Sequence, residues 1–267
     1  LQADQLLTVR EADATSSGIY ERPLINPAGL LRNVTKVMGI DYAHKDFDFV
    51  DFNVQSILPH KFSEYSPALA AGDLVGNAFD DLVIGGNAAN PAQTFMQQPD
   101  GSFVQKDLYA PNRMPNDSYK DQGILVFDAN GDRKPDVYIA GGGFHNPAGN
   151  KNYQDRLYIN DGKGGFIKDS LALPQNHTSK LCVRAFDYNN DGKQDLFVAG
   201  RVEPTRYPKP VSSFIFRNDS QNGRAKFADV TSEVAPELKD IGLVCDALFT
   251  DFNDDGQTDL LLTGEWM

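Results

Sequence analysis

Four nine-residue windows set acidic or amide side chains at alternate positions and close on an aspartate: DLVGNAFDD from Asp73, DANGDRKPD from Asp128, DYNNDGKQD from Asp187 and DFNDDGQTD from Asp251. Oxygens spaced in this way can surround a hard cation, because Ca²⁺ takes roughly six to eight oxygen ligands in a flexible shell. The third and fourth windows are complete at positions 1, 3, 5 and 9, with Asp187, Asn189, Asp191 and Asp195, and Asp251, Asn253, Asp255 and Asp259. The second supplies Asp128, Asn130, Asp132 and Asp136 but has Arg133 at position 6, where glycine is expected and where any other residue must tolerate an unusual backbone angle. The first has Val75 at position 3 and Ala78 at position 6, which leaves Asp73, Asn77 and Asp81 as a weaker set. At position 7, Lys134, Lys193 and Gln257 are expected to offer a backbone carbonyl. The expected load is about three Ca²⁺, with the first loop a weaker fourth site.

An EF-hand would need a bidentate glutamate at position 12 and a helix on either side. Position 12 is instead Ile84, Ile139, Val198 and Leu262, and the residues after each window read DLVIGG, DVYIAGG, DLFVAG and DLLLTG. Short apolar and β-branched runs ending in glycine are strand and turn chemistry. GILVFD and LCVRAFD before the second and third windows are strand-like too, so each window joins two antiparallel strands. A third strand follows in TFMQQ, RLYIN and SFIFRN, and a fourth opens at Phe103, Phe166 and Phe227 after turns containing Asp-Gly or Asn-Gly. Successive first aspartates, Asp73, Asp128, Asp187 and Asp251, lie 55, 59 and 64 residues apart. Four strands in that length make one blade of a β-propeller. No segment holds a helical apolar period for three turns, which excludes a doubly wound α/β fold.

The fold class is therefore all-β: a propeller of four-stranded antiparallel blades, with about three and a half blades present. The expected boundaries are a lead-in over 30–66, blades over 67–110, 120–172 and 180–234, and a half blade over 242–267. A parent ring of about seven blades would need more chain than this, so the sequence reads as an internal fragment whose remainder closes the propeller. The two cysteines, Cys182 and Cys245, stand five and six residues before their aspartates. That parity points them to opposite faces of regular strands, as free thiols.

Strand, DxNxDGxxD-like loop, strand ending in glycine and then LYINDGKGGF together resemble the FG-GAP or VCBS repeat of integrin-type propellers over residues 30–267. The phrases GIDYAHKDFDFVDFN, LPHKFSEYSPALAAGDL, GRVEPTRYP and TGEWM resemble bacterial FG-GAP-like proteins, especially of Bacteroidetes, that carry ASPIC/UnbV-type domains. By that resemblance residues 1–14 are the tail of such a domain and 15–29 a linker. It implies the fold strongly and function weakly, since one fold hosts many functions.

The formal charge is −12, with 37 acids against 25 bases and many of the acids inside the four windows. This balance argues against a nucleic-acid partner, which needs clustered Lys and Arg. No apolar run is long enough to insert in a membrane. Calcium loops imply an extracellular, cell-surface or periplasmic location.

The loops between second and third strands lie at the blade end opposite the aspartate windows. They are GGNAANPAQ, GGGFHNPAGNKNYQD and GRVEPTRYPKPVS. Phe144, His145, Arg201, Arg206, Tyr207 and Lys209 offer aromatic surface and cationic donors there, suited to a glycan or protein ligand. The alternative is that Tyr207 and the prolines only stiffen a loop. Two function classes stay open: a calcium-stabilised binding scaffold, and a carbohydrate-active enzyme such as a polysaccharide lyase or glycoside hydrolase. No catalytic residue is assigned, because neither an HExxH nor a GxSxG motif is present.

Overall fold

The middle strands of the sheets are buried along their length while the fourth strands are largely exposed. A computed structural model of the chain describes residues 32–46, 48–65, 67–109 and 118–267. The expected domain tail and linker lie outside these residues. In the first blade β1 (Leu69–Gly72), β2 (Asp81–Ile84), β3 (Gln93–Gln97) and β4 (Phe103–Asp107) pair antiparallel in chain order. The second blade repeats this with β5 (Asp121–Phe127), β6 (Asp136–Gly141), β7 (Arg156–Asn160) and β8 (Phe166–Asp169). The third has β9 (Lys180–Phe186), β10 (Asp195–Gly200), β11 (Phe214–Asn218) and β12 (Phe227–Asp229). A half blade pairs β13 (Leu243–Thr250) with β14 (Asp259–Glu265).

Middle strands are buried on both faces, so they read as continuous apolar runs, yet their residues divide by parity between two neighbours. On β6, Val137 and Ile139 join Leu74, Val83 and Ala92 of the first blade, while Tyr138 and Ala140 join Val183, Leu196 and Val198 of the third. On β10, Leu196 and Val198 face the second blade, and Phe197 and Ala199 pack with Val244 and Ala247 of the half blade. The core is thus a series of inter-blade layers. Ile139 and Val198, at position 12 of their windows, are fully buried within them.

The cysteine offsets have a local cause. In β13 the register slips by one residue between Val244 and Asp246, at Cys245, so the offset counts a bulge rather than a regular alternation. Both thiols are free. Burial pushes the Cys182 thiol up to about 12.

Among the described residues of the lead-in no strand forms; the chain turns at 35–39 and then makes one helical turn, α1 (Asp51–Val54). After β12 a second helical turn follows, α2 (Thr231–Val234). The lead-in covers the end of the blades opposite the aspartate loops. Buried Asp51 accepts the Phe62 and Ser63 N–H groups at 2.5 and 2.9 Å. Phe62 then packs with Phe144, Val202 and Leu243, contributed by the second blade, the third blade and the half blade. Lys120, at the entry to β5, is buried against Asp46 and the Ser63 carbonyl.

Candidate functional site

All four windows fold into one loop shape, and short polar side chains build it. The position-1 carboxylate accepts N–H groups from the far side of the turn: Asp187 from Asp191 and Gly192 at 3.1 and 2.8 Å, and Asp251 from Asp255 and Gly256 at 3.1 and 2.9 Å. Asp128 does the same with Gly131 and Arg133, both at 2.8 Å. Position 3 caps position 5, as Asn130, Asn189 and Asn253 accept the N–H of Asp132, Asp191 and Asp255 at 2.9, 3.0 and 2.9 Å. Position 5 in turn accepts from position 7: Asp132 from Lys134, Asp191 from Lys193, and Asp255 from Gln257, at 2.9, 2.9 and 2.8 Å. These are Asx-turns in series.

The first window reaches the same shape without its position-3 amide. Asp73 accepts from Gly76, Asn77 and Ala78 at 2.7, 3.0 and 2.8 Å, and Asn77 accepts from Phe79 at 3.0 Å. Position 6 is left-handed in every copy, at φ of 67° for Ala78, 66° for Arg133, 83° for Gly192 and 80° for Gly256. Position 4 is left-handed too, in Gly76, Gly131, Asn190 and Asp254. Glycine, asparagine and aspartate are the residues that tolerate that region best, so position 4 was legible from residue type.

Position 9 behaves differently from the rest. Asp81, Asp136 and Asp195 are fully buried. Each carboxylate spans two elements, taking one N–H from position 2 of its own loop and one from the end of the third strand. For Asp136 these are Ala129 at 3.0 Å and Asn160 at 2.8 Å; for Asp195 they are Tyr188 at 3.2 Å and Asn218 at 2.7 Å. Asp81 takes Leu74 at 2.9 Å and Gln97 at 2.7 Å. Burial raises the Asp136 carboxyl to about 6, against its two N–H donors and with help from the charges of Asp132 and Asp128. At Asp73 slight burial pushes upward, but N–H donors from Ala78, Asn77, Gly76 and Val75 outweigh it and hold the carboxyl below its usual range.

A second stitch joins neighbouring blades. The Asn160 amide donates to the Leu74 carbonyl in the first loop at 2.7 Å and to Pro135 in its own at 2.8 Å. Asn218 repeats this with Ala129 in the second loop at 3.2 Å and Gln194 in its own at 3.0 Å. The signal was present in the sequence as the shared endings RLYIND and FIFRND, but its role depends on blade stacking.

The donor set of the loops is hard oxygen throughout, which fits Ca²⁺ chemistry. Among the described residues, no three His, Cys, Asp or Glu side chains are grouped so as to hold a metal ion, and the position-1 carboxylates accept backbone N–H groups.

At the opposite end the six proposed ligand contacts separate. Phe144 and Arg201 are buried and present no platform or free donor to solvent. Phe144 packs on Phe62 with centroids 5.4 Å apart. Arg201 donates to the Leu243 carbonyl at 2.8 Å, to the Tyr65 hydroxyl at 2.9 Å and to Glu265. The His145 ring nitrogen meets the Ser118 carbonyl, and burial lowers its pKa. Arg206 and Lys209 are exposed but both pair with Glu203. Tyr207 is half-buried; Gln55 of the lead-in grips its backbone through the Tyr207 N–H at 2.8 Å and its carbonyl at 2.6 Å. The lead-in thus occupies much of the surface that the loops alone would offer.

Residues 128–198 match an FG-GAP-like repeat. The span runs from the first aspartate of the second loop through β6–β9 to position 12 of the third. It therefore contains two of the loops and the sheet between them. No curated protein sequence matches the chain significantly. The repeat and the four-stranded antiparallel sheets are those of a β-propeller. No helix among the described residues is long and apolar enough to cross a membrane.

Proposed function

We propose that the chain is a calcium-binding β-propeller module of the extracellular space or cell surface, and that it serves as a scaffold for a glycan or protein ligand. The observation that supports this most is the common backbone of the four loops, kept even where Ala78 and Arg133 must adopt left-handed angles. Oxygen ligands would come from Asp187, Asn189, Asp191 and Asp195 in the third loop and Asp251, Asn253, Asp255 and Asp259 in the fourth. Asp128, Asn130, Asp132 and Asp136 would serve the second, with position-7 carbonyls completing each shell. Binding would neutralise carboxylates that otherwise crowd one turn. The enzyme alternative draws no support from the opposite end, where His145 and Arg206 are engaged in structural contacts.

Calorimetry with and without chelator tests the calcium reading. With Kd near ~10⁻⁴ M and free Ca²⁺ near ~1 mM, each site contributes about 1.4 kcal/mol to stability. Three sites together should raise Tm by on the order of 10 °C. Asp187→Ala and Asp251→Ala should each remove part of that gain. An unchanged melt in EDTA, with no metal found by elemental analysis, would sink the proposal.

A further inference from the structure

An open cleft of about 530 Å³ lies beside the first blade, between the lead-in and the outer strands β3 and β4. It sits at the blade end opposite the aspartate loops but shares no residue with the six contacts discussed above. Asp41, Tyr42 and Lys45 form the lead-in wall, Asn90 comes from the β2–β3 loop, and Gln105 and Asp107 come from β4. The volume falls within the ~300–1,000 Å³ typical of small-molecule sites.

The polar groups of this cleft are held in place. Gln105 Nε2 donates to Gln93 Oε1 at 3.0 Å, and Gln93 Nε2 donates onward to Asp107 Oδ1 at 2.5 Å and to the Pro91 carbonyl at 3.0 Å. Gln93 is only 9% exposed, so this relay is anchored in the sheet and fixes the direction of the Asp107 carboxylate. The lead-in wall is fixed as well. The Lys45 carbonyl accepts from the Asn87 and Asn90 amides at 2.7 and 3.3 Å. The Tyr42 hydroxyl lies 3.1 Å from His44 Nδ1, and its ring packs edge-on against Phe95 at 5.8 Å.

We propose that this cleft binds a neutral saccharide of one or two sugar units, an inference that rests on the scaffold reading for its purpose but not on calcium. Vicinal hydroxyls each donate and accept, so they need carboxylate acceptors beside amide or ammonium donors. Asp41 and Asp107 supply the first, and Lys45 and Gln105 the second. Beyond the Tyr42 ring, apolar lining is limited to Ala43, Ala89 and Pro91, too little for a large hydrophobic ligand. Two carboxylates against one ammonium disfavour uronates and phosphates. A rigid lining also lowers the ordering cost of binding.

The 267-residue protein in calcium buffer should be titrated with maltose, cellobiose, lactose and chitobiose, and with a glucuronate-containing disaccharide. At least one neutral disaccharide is expected to bind with Kd on the order of 1 mM. Asp107→Ala and Gln105→Ala, both at exposed positions, should each weaken it about tenfold without changing Tm, while Arg206→Ala should leave it unchanged. No binding by any neutral disaccharide overturns the proposal. So does binding that Asp107→Ala leaves intact, or tighter binding of the uronate. A cleft that fails this test beside a melt that still responds to EDTA removes the saccharide site alone.

Discussion

The third blade and the half blade carry almost the same loop, yet they hold it differently. DYNNDGKQD and DFNDDGQTD make the same Asx-turns, with Asp191 and Asp255 N–H groups both 3.1 Å from the position-1 carboxylate. Asp195 is fully buried and bonded at both oxygens, from Tyr188 and from Asn218 on the third strand. Asp259 is half-buried and, among the described residues, receives only the Phe252 N–H, at 2.9 Å. β10 is buried along its whole length, whereas no residue of β14 is. The turn is a local product of its own nine residues. Burial of the closing aspartate is a product of the third strand and the next blade.

The largest expected effect follows from removing a closing carboxylate. Asp136→Ala leaves the N–H groups of Ala129 and Asn160 buried without an acceptor, at about 1–3 kcal/mol each. A loss of roughly 2–5 kcal/mol is expected in urea unfolding. Asp259→Ala exposes a single N–H to water and should cost under ~1 kcal/mol. Equal losses at the two positions would show that the third strand contributes nothing to the role of the aspartate.

An intermediate effect should come from the inter-blade amides. Asn218→Ala removes donors from the Ala129 and Gln194 carbonyls, one in each of two loops, and should cost about 1–2 kcal/mol. The Asn218 N–H to Asp195 survives this change, but it and the side-chain bond to Gln194 tie β11 to the same loop end, so the double mutant with Asp195→Ala should fall short of additivity by at least ~0.5 kcal/mol. Strict additivity would mean that loop closure and blade stacking are independent.

The same contrast explains what the sequence could and could not show. Loop positions, strand order and the opening of fourth strands at Phe103, Phe166 and Phe227 are set by local chemistry, and each sits where residue type predicts. The covering of the opposite end was not legible, because it depends on contacts far apart in the chain. Phe62 meets Phe144 and Tyr207 only once three blades have stacked, and Arg201 meets Tyr65 only once the lead-in has folded back. Arg201 and Phe144 looked like ligand contacts for the same reason that they make good interior anchors, since a cation and an aromatic ring on long loops suit either role. The polar cleft on the first blade was not legible either, because Asp41 and Lys45 are distant in sequence from Gln105 and Asp107, and no repeat marks them.

The smallest expected effect concerns position 6. Arg133 holds φ at 66°, where an L-residue with a Cβ pays about 1 kcal/mol or more, while Gly192 sits at 83° without that strain. Arg133→Gly relieves the strain but adds freedom to the unfolded chain worth about 0.4–1 kcal/mol, so the net gain should be no more than ~0.5 kcal/mol. Gly192→Ala runs the other way, adding strain that the smaller unfolded-state gain does not offset, and should cost up to ~1 kcal/mol. No contact within 4 Å awaits a Cβ at Gly192, so the comparison isolates backbone angle from packing. If both substitutions lower stability equally, the loop shape is not governed by its left-handed residues. The carboxylate and amide acceptors at positions 1, 3 and 5 would then have to hold the turn alone.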